Sequence, residues 1–73
     1  DLAILGAVPP RFAEYDAQVR AEYSWLAAAI YRSRRKAVLQ GFLQREAIYC
    51  TPAFHTRLEA QARHNLAAAI HQL

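Results

Sequence analysis

Apolar positions recur at helical spacing along most of the chain, and nowhere do they alternate with polar ones as in a half-buried strand. After a short lead-in, Pro9-Pro10 supplies a start signal, and Phe12, Tyr15, Val19, Tyr23 and Leu26 fall on one stripe. This predicts a first helix over about 10–25. A second helix is expected over about 26–44, set off from the first by a turn or only a kink near Ser24, because the alanine-rich run there holds no strong breaker. The third helix is expected over about 52–72, with Thr51 as N-cap and Pro52 at the first helical position. The residue before a proline is biased away from helical angles, which also places the break before Thr51.

On the third helix Phe54, Leu58, Ala62, Asn65, Leu66, Ala69 and Leu73 share one broad face, and Arg57, Gln61, His64 and His71 lie opposite. The first group is the expected packing face. The predicted fold class is therefore all-α, a three-helix array or hairpin-like bundle in a single unit covering 1–73. No internal repeat or low-complexity linker is visible.

Composition narrows the class further. With 55% hydrophobic residues, 21% charged residues and only two glycines, the chain reads as ordered and helical rather than as a disordered tail. At 73 residues it is near the lower limit at which a core without disulfide or metal suffices, so partner contacts are expected. The longest apolar run, WLAAAIY, is too short to span a bilayer and is followed at once by RSRRK. No membrane partner is expected. Cys50 is the only cysteine, which excludes an internal disulfide framework and points to a cytoplasmic setting. The chain has no methionine and opens inside an apolar stretch, DLAILG, which reads as part of something longer.

The basic run Arg32 to Lys36, with a net charge of +3 and a pI near 9.5, brings nucleic acid or another polyanion into consideration. The charges spread around the helix axis, so a solvated face is the competing reading. Arg34 points along an arc bracketed by Ala27, Ile30, Tyr31, Ala37 and Val38. It either carries its head past that arc to water or requires an acidic partner, for which Glu22 and Glu59 are candidates. Asp16 and Arg20, at i,i+4 on the first helix, predict a local ion pair.

The three histidines do not converge. His64 and His71 share a face but are seven positions apart, about 10 Å along the axis, too far to share one ion. His55, near the start of the third helix, reads as a packed or capping residue. Cys50 precedes a helix N-terminus, which would favour its thiolate, but it has no second cysteine beside it. No catalytic residue is assigned. No paired-carboxylate device, phosphate loop or nucleophile elbow is present.

The order of residues in DLAILGA, VRAEY, RKAVLQGFLQREAIYCT and LEAQARHNL resembles the C-terminal part of a family of predicted metal-dependent phosphohydrolases of the HD superfamily. The pattern runs through Arg20, Glu22 and Tyr23, then Arg35, Val38 and Leu39, then Phe42, Leu43, Arg45, Ile48, Tyr49 and Thr51, and ends with Glu59, Ala62, Arg63, Asn65 and Leu66. The resemblance implies an all-helical parent enzyme that holds a divalent metal through a His, a His-Asp pair and a later Asp. The metal would generate hydroxide and stabilise charge on a phosphoryl group.

By the same resemblance the His and His-Asp motifs lie upstream of this segment, and the missing part of the protein, or another copy, is an expected partner. A phosphate-containing small molecule is the implied substrate class. No cofactor is expected in this chain alone. Asp1 is the position that matches the later metal-binding Asp, unless the family's aspartate two positions earlier is the ligand. Arg34 stands where the family has Gly, which bears on how closely its helix packs. Arg20, Glu22, Arg35, Arg45, Glu59, Arg63 and Asn65 are then either substrate-side groups or a polar network tying the helices together.

Overall fold

A computed structural model describes residues 2–73, and these form three α-helices and one 3₁₀ helix joined by short connections. Asp1, the expected metal ligand, lies outside the described residues. The order is the 3₁₀ helix Leu2–Gly6, then α1 (Pro9–Glu22), α2 (Ala28–Leu43) and α3 (Pro52–Gln72). The described residues contain no strand, and the fold is an all-α three-helix bundle.

Helix α3 is the spine. Its buried face is Glu59, Ala62, Asn65, Leu66 and Ala69, spaced by three and four so that one stripe is covered. The 3₁₀ helix and α2 both pack on that stripe, and α1 leans on the 3₁₀ helix and on α3. The core joins Leu5, Phe12, Leu39, Ile48, Tyr49, Ala62, Leu66 and Ala69, so it draws on every helix and on the connection between α2 and α3. Ala62 and Leu66 have no solvent exposure. Alanine at 62 lets neighbouring backbones approach, and Leu66 fills the space between them.

The 3₁₀ helix comes from the lead-in, too short for its period to be read, yet it places Leu5 in the core. Its contact with α3 is close. A Cβ added at Gly6 would lie 2.8 Å from Leu58 Cβ and 3.0 Å from the Leu58 carbonyl oxygen, so only glycine fits without a shift of backbone. Gly6→Ala is expected to destabilise the fold by about 1 to 3 kcal/mol through this overlap, read as a lower urea midpoint. Gly41→Ala is the control, because a Cβ there meets nothing within 4 Å.

Two local expectations are corrected. The first helix ends at Glu22, and Tyr23 to Leu26 form a turn, with the Ser24 N–H donating to the Ala21 carbonyl and the Leu26 N–H to the Tyr23 carbonyl. Tyr23 is thereby left 43% exposed instead of continuing the buried stripe of Phe12. Helix α2 then starts after Ala27 with no side-chain cap, so helix propensity alone did not fix the boundary. At the start of α3, Thr51 and Pro52 hold the cap and first-turn positions, but the Thr51 side chain makes no capping hydrogen bond. Phe54 is half exposed, its ring tilted against Tyr49 at 6.4 Å.

Candidate functional site

The polar residues singled out in the sequence do not gather at one place. Four of them, Arg35, Glu59, Arg63 and Asn65, form three separate clamps, each joining elements distant in the chain. The first centres on Glu59, which is buried on α3. Its carboxylate accepts from the Ile48 N–H at 3.1 Å and from the Tyr49 N–H at 3.2 Å. Those donors belong to the irregular connection after α2, where no helix or sheet partner exists for them.

Arg63, one turn along α3, donates from Nε to the Glu59 carboxylate at 2.8 Å. Its remaining nitrogens donate to the carbonyls of Leu43 at 3.1 Å, Arg45 at 2.8 Å and Glu46 at 3.3 Å. One guanidinium thus covers the C-terminal end of α2, where unpaired carbonyls and the helix dipole favour a cation. Burial works to raise the Glu59 carboxyl, but the Ile48 and Tyr49 N–H groups and Arg63 more than reverse this and hold it below the usual carboxylate range. His55 is exposed rather than packed, with its ring 3.8 Å from the same carboxylate.

The second clamp is Asn65, 2% exposed, whose amide nitrogen donates to the carbonyls of Leu5 at 2.9 Å and Ala7 at 2.7 Å. Its amide oxygen accepts from Gln61 at 2.9 Å. This ties the 3₁₀ helix to α3, assisted by the Tyr49 hydroxyl, which donates to the Leu2 carbonyl at 2.7 Å. Asn65→Ala strands the buried Leu5 carbonyl and takes the partner from the part-buried Ala7 carbonyl, and an expected loss of about 1 to 3 kcal/mol follows. Denaturant unfolding monitored by circular dichroism measures it.

The third clamp joins α1 to α2. Arg35 is 9% exposed and donates through Nη2 to Asp16 at 3.0 Å, with its guanidinium 5.5 Å from the centre of the Tyr15 ring. Arg20 instead lies 4.5 Å from the Tyr31 ring centre and donates to the Tyr23 carbonyl at 3.2 Å. The expected Asp16–Arg20 pair is therefore replaced by a pair between helices. A carboxylate on the inner stripe of α1 is more shielded, and so better matched, by a guanidinium from the facing helix than by its own neighbour.

The arc assigned to Arg34 is also corrected. Helix α2 buries Tyr31, Arg35 and Leu39, while Arg34 is exposed beside Ile30 and Val38, which are 47% and 50% exposed. Neither Glu22 nor Glu59 pairs with it. The inward arginine is the next one, Arg35, and Asp16 was the signal for it: a lone acid beside Phe12 and Tyr15 requires a cation from across the interface. With Arg35 engaged, Arg32, Arg34 and Lys36 are the exposed basic residues of that run.

Of the remaining candidates, Arg45 is exposed, its guanidinium 5.2 Å from the Phe42 ring centre, and Glu22 is exposed at the end of α1. Two concave surfaces complete the picture. A cleft of about 240 Å³ at the start of α3 is lined by Leu2, Arg45, Tyr49, the exposed Cys50 and Phe54. A larger groove of about 460 Å³ runs between α1 and α2, where those helices are held apart by their long side chains.

Among the described residues no three His, Cys, Asp or Glu side chains form a group that would hold a metal ion. None of their helices is long and apolar enough to cross a membrane. The stretch 42–54, with its cysteine between helices, is a joint: Arg63 covers one side of it and Glu59 the other. No family model, curated protein or solved structure matches this chain.

Proposed function

We propose that this chain is the C-terminal helical scaffold of a metal-dependent phosphohydrolase of the HD type. The single observation that carries this reading is where the resemblance falls in the fold. The polar positions of the HD-like pattern include Arg35, Glu59, Arg63 and Asn65, and these four make the inter-element clamps. A pattern of polar residues that recurs because it builds a scaffold is expected to lie in such buried, fully hydrogen-bonded places. Substrate-side groups would instead converge on one cleft and keep free donors.

On this reading the divalent metal supplies Lewis-acid activation of water. Its ligands belong to residues outside those described, Asp1 being one candidate, since the described side chains do not fit a metal site. The described residues contribute position. Asn65 and Tyr49 fix the 3₁₀ helix Leu2–Gly6 against α3. The substrate class is a phosphate ester.

The test is hydrolysis of a chromogenic phosphate ester by the natural gene product that contains this sequence, with and without a chelator. Chelator-sensitive hydrolysis, lost in Asp1→Ala and absent from the isolated 73-residue chain, is the expected result. A natural product without metal-dependent hydrolysis removes the proposal. The alternative reading, a basic module for nucleic acid or an acidic partner centred on Arg32 to Lys36, has less support because Arg35 is committed to Asp16. It would show as salt-sensitive binding that weakens when Arg32 and Lys36 are neutralised.

A further inference from the structure

The groove between α1 and α2 is the larger of the two concavities described above, and its walls leave apolar side chains open to water. Its walls carry Val19, Tyr23, Trp25, Leu26 and Val38, and Trp25 is 73% exposed. An indole and a tyrosine ring 6.2 Å apart, beside the branched aliphatic side chains of Val19, Leu26 and Val38, form a patch of the kind that partners bury.

Two ions flank it, Glu22 from the end of α1 and Arg34 from α2. Both are exposed, and neither has an ion-pair or hydrogen-bond partner among the described residues. Of the other charges near the groove, Arg35 and Asp16 neutralise each other, and Arg20 is engaged by the Tyr31 ring and the Tyr23 carbonyl. The available charge is thus one anion and one cation on the same apolar groove. An acidic peptide would meet Arg34 but be opposed by Glu22, and a basic one the reverse. A surface that carries its own complement is matched under a two-fold axis, where each site meets the other site of its partner.

We propose that this groove is an isologous interface with a second copy of the chain, in which Trp25 and Val38 pack across the axis and Glu22 of each copy pairs with Arg34 of the other. The inference does not rest on the phosphohydrolase reading, and its test reads assembly and not activity.

Sedimentation equilibrium of the 73-residue chain from micromolar to millimolar concentration provides the test, with the emission of Trp25, the only tryptophan, as a second reporter. A reversible dimer is expected, with Trp25 emission moving to shorter wavelength as it forms. Glu22→Arg places two like charges in each contact, and so does Arg34→Glu, so each variant alone is expected to raise the dimer dissociation constant at least tenfold. Both positions are exposed, so helicity should be unchanged. Mixing the two variants is the decisive step: Arg at 22 in one copy then faces Glu at 34 in the other, and its Arg34 faces the other's Glu22, so a mixed dimer is expected where neither variant dimerises alone. Trp25→Ser is expected to weaken the wild-type dimer at least tenfold without any change of charge. A chain that stays monomeric throughout overturns the proposal. So does a dimer indifferent to the single charge reversals, or a mixture of variants that remains monomeric.

Discussion

Glu59→Ala is expected to cost this fold more than any other polar substitution. The carboxylate satisfies the Ile48 and Tyr49 N–H groups and orients Arg63, which in turn covers the Leu43 carbonyl at the end of α2 and those of Arg45 and Glu46 just after it. Its removal leaves two donors in an irregular segment without a partner and a guanidinium without its anion. A fall in melting temperature on the order of 10 °C or more is expected from losses of this kind in so small a domain. Glu14→Ala, an exposed carboxylate paired only with nearby Arg11, is the control and should change stability by less than about 0.5 kcal/mol.

The same residue fixes a pH dependence. Because the Glu59 carboxyl is held below its ordinary value in the folded chain, the unfolded chain takes up its proton first as pH falls. Its contribution is fully present above the ordinary glutamate value of about 4.3 and is lost as pH falls through the depressed folded value. Glu59→Gln should therefore flatten the acid limb of the stability profile below about pH 5 relative to the wild type. An unchanged acid limb would place the responsible carboxylate elsewhere.

Leu66→Ala tests the apolar half of the design. Leu66 has no exposure and sits on α3 where α2, the 3₁₀ helix and the connection containing Ile48 meet the same stripe. Truncation removes transfer energy and leaves a cavity, together about 3 to 5 kcal/mol. A chain of 73 residues has a total stability of only about 4 to 10 kcal/mol. The expected result is a urea midpoint reduced by about a third or more, or a chain already partly unfolded in water. Ile70→Ala, at a partly buried position on the flank of the same helix, should lose clearly less.

Helix α3 was legible because Thr51-Pro52 marks its start and its spacing of Leu58, Ala62, Asn65, Leu66 and Ala69 admits one inner face. Asn65 stood out there as a polar residue on an apolar stripe, and it proves to hold the Leu5 and Ala7 carbonyls. Helix α2 was harder. Alanines at 27, 28, 29 and 37 make the apolar arc broad, so Ile30, Arg34 and Val38 looked inward when the inner positions are Tyr31, Arg35 and Leu39. Choosing between adjacent arginines required knowing that Asp16 faces α2 across the interface, and a local rule had already paired Asp16 with Arg20. The break near Ser24 was legible as a turn or a kink, but with no breaker residue there its place, directly after Glu22, was not. The clamps were visible only as residue types, because most of their partners are backbone groups, and sequence does not mark which carbonyl lies where.

Arg35, Glu59, Arg63 and Asn65 hold the helices together, and residue-level hydrogen exchange tests this most directly. Ile48 and Tyr49 lie in a connection with no helix or strand of its own, and only the Glu59 carboxylate accepts from their amides. The expected result is exchange of both amides as slow as that of the α3 core around Leu66, requiring near-global unfolding, while the preceding Glu46 and Ala47 exchange close to the free rate. Ile48 and Tyr49 exchanging as fast as Glu46 and Ala47 would contradict the clamp, and with it the scaffold role proposed for the chain.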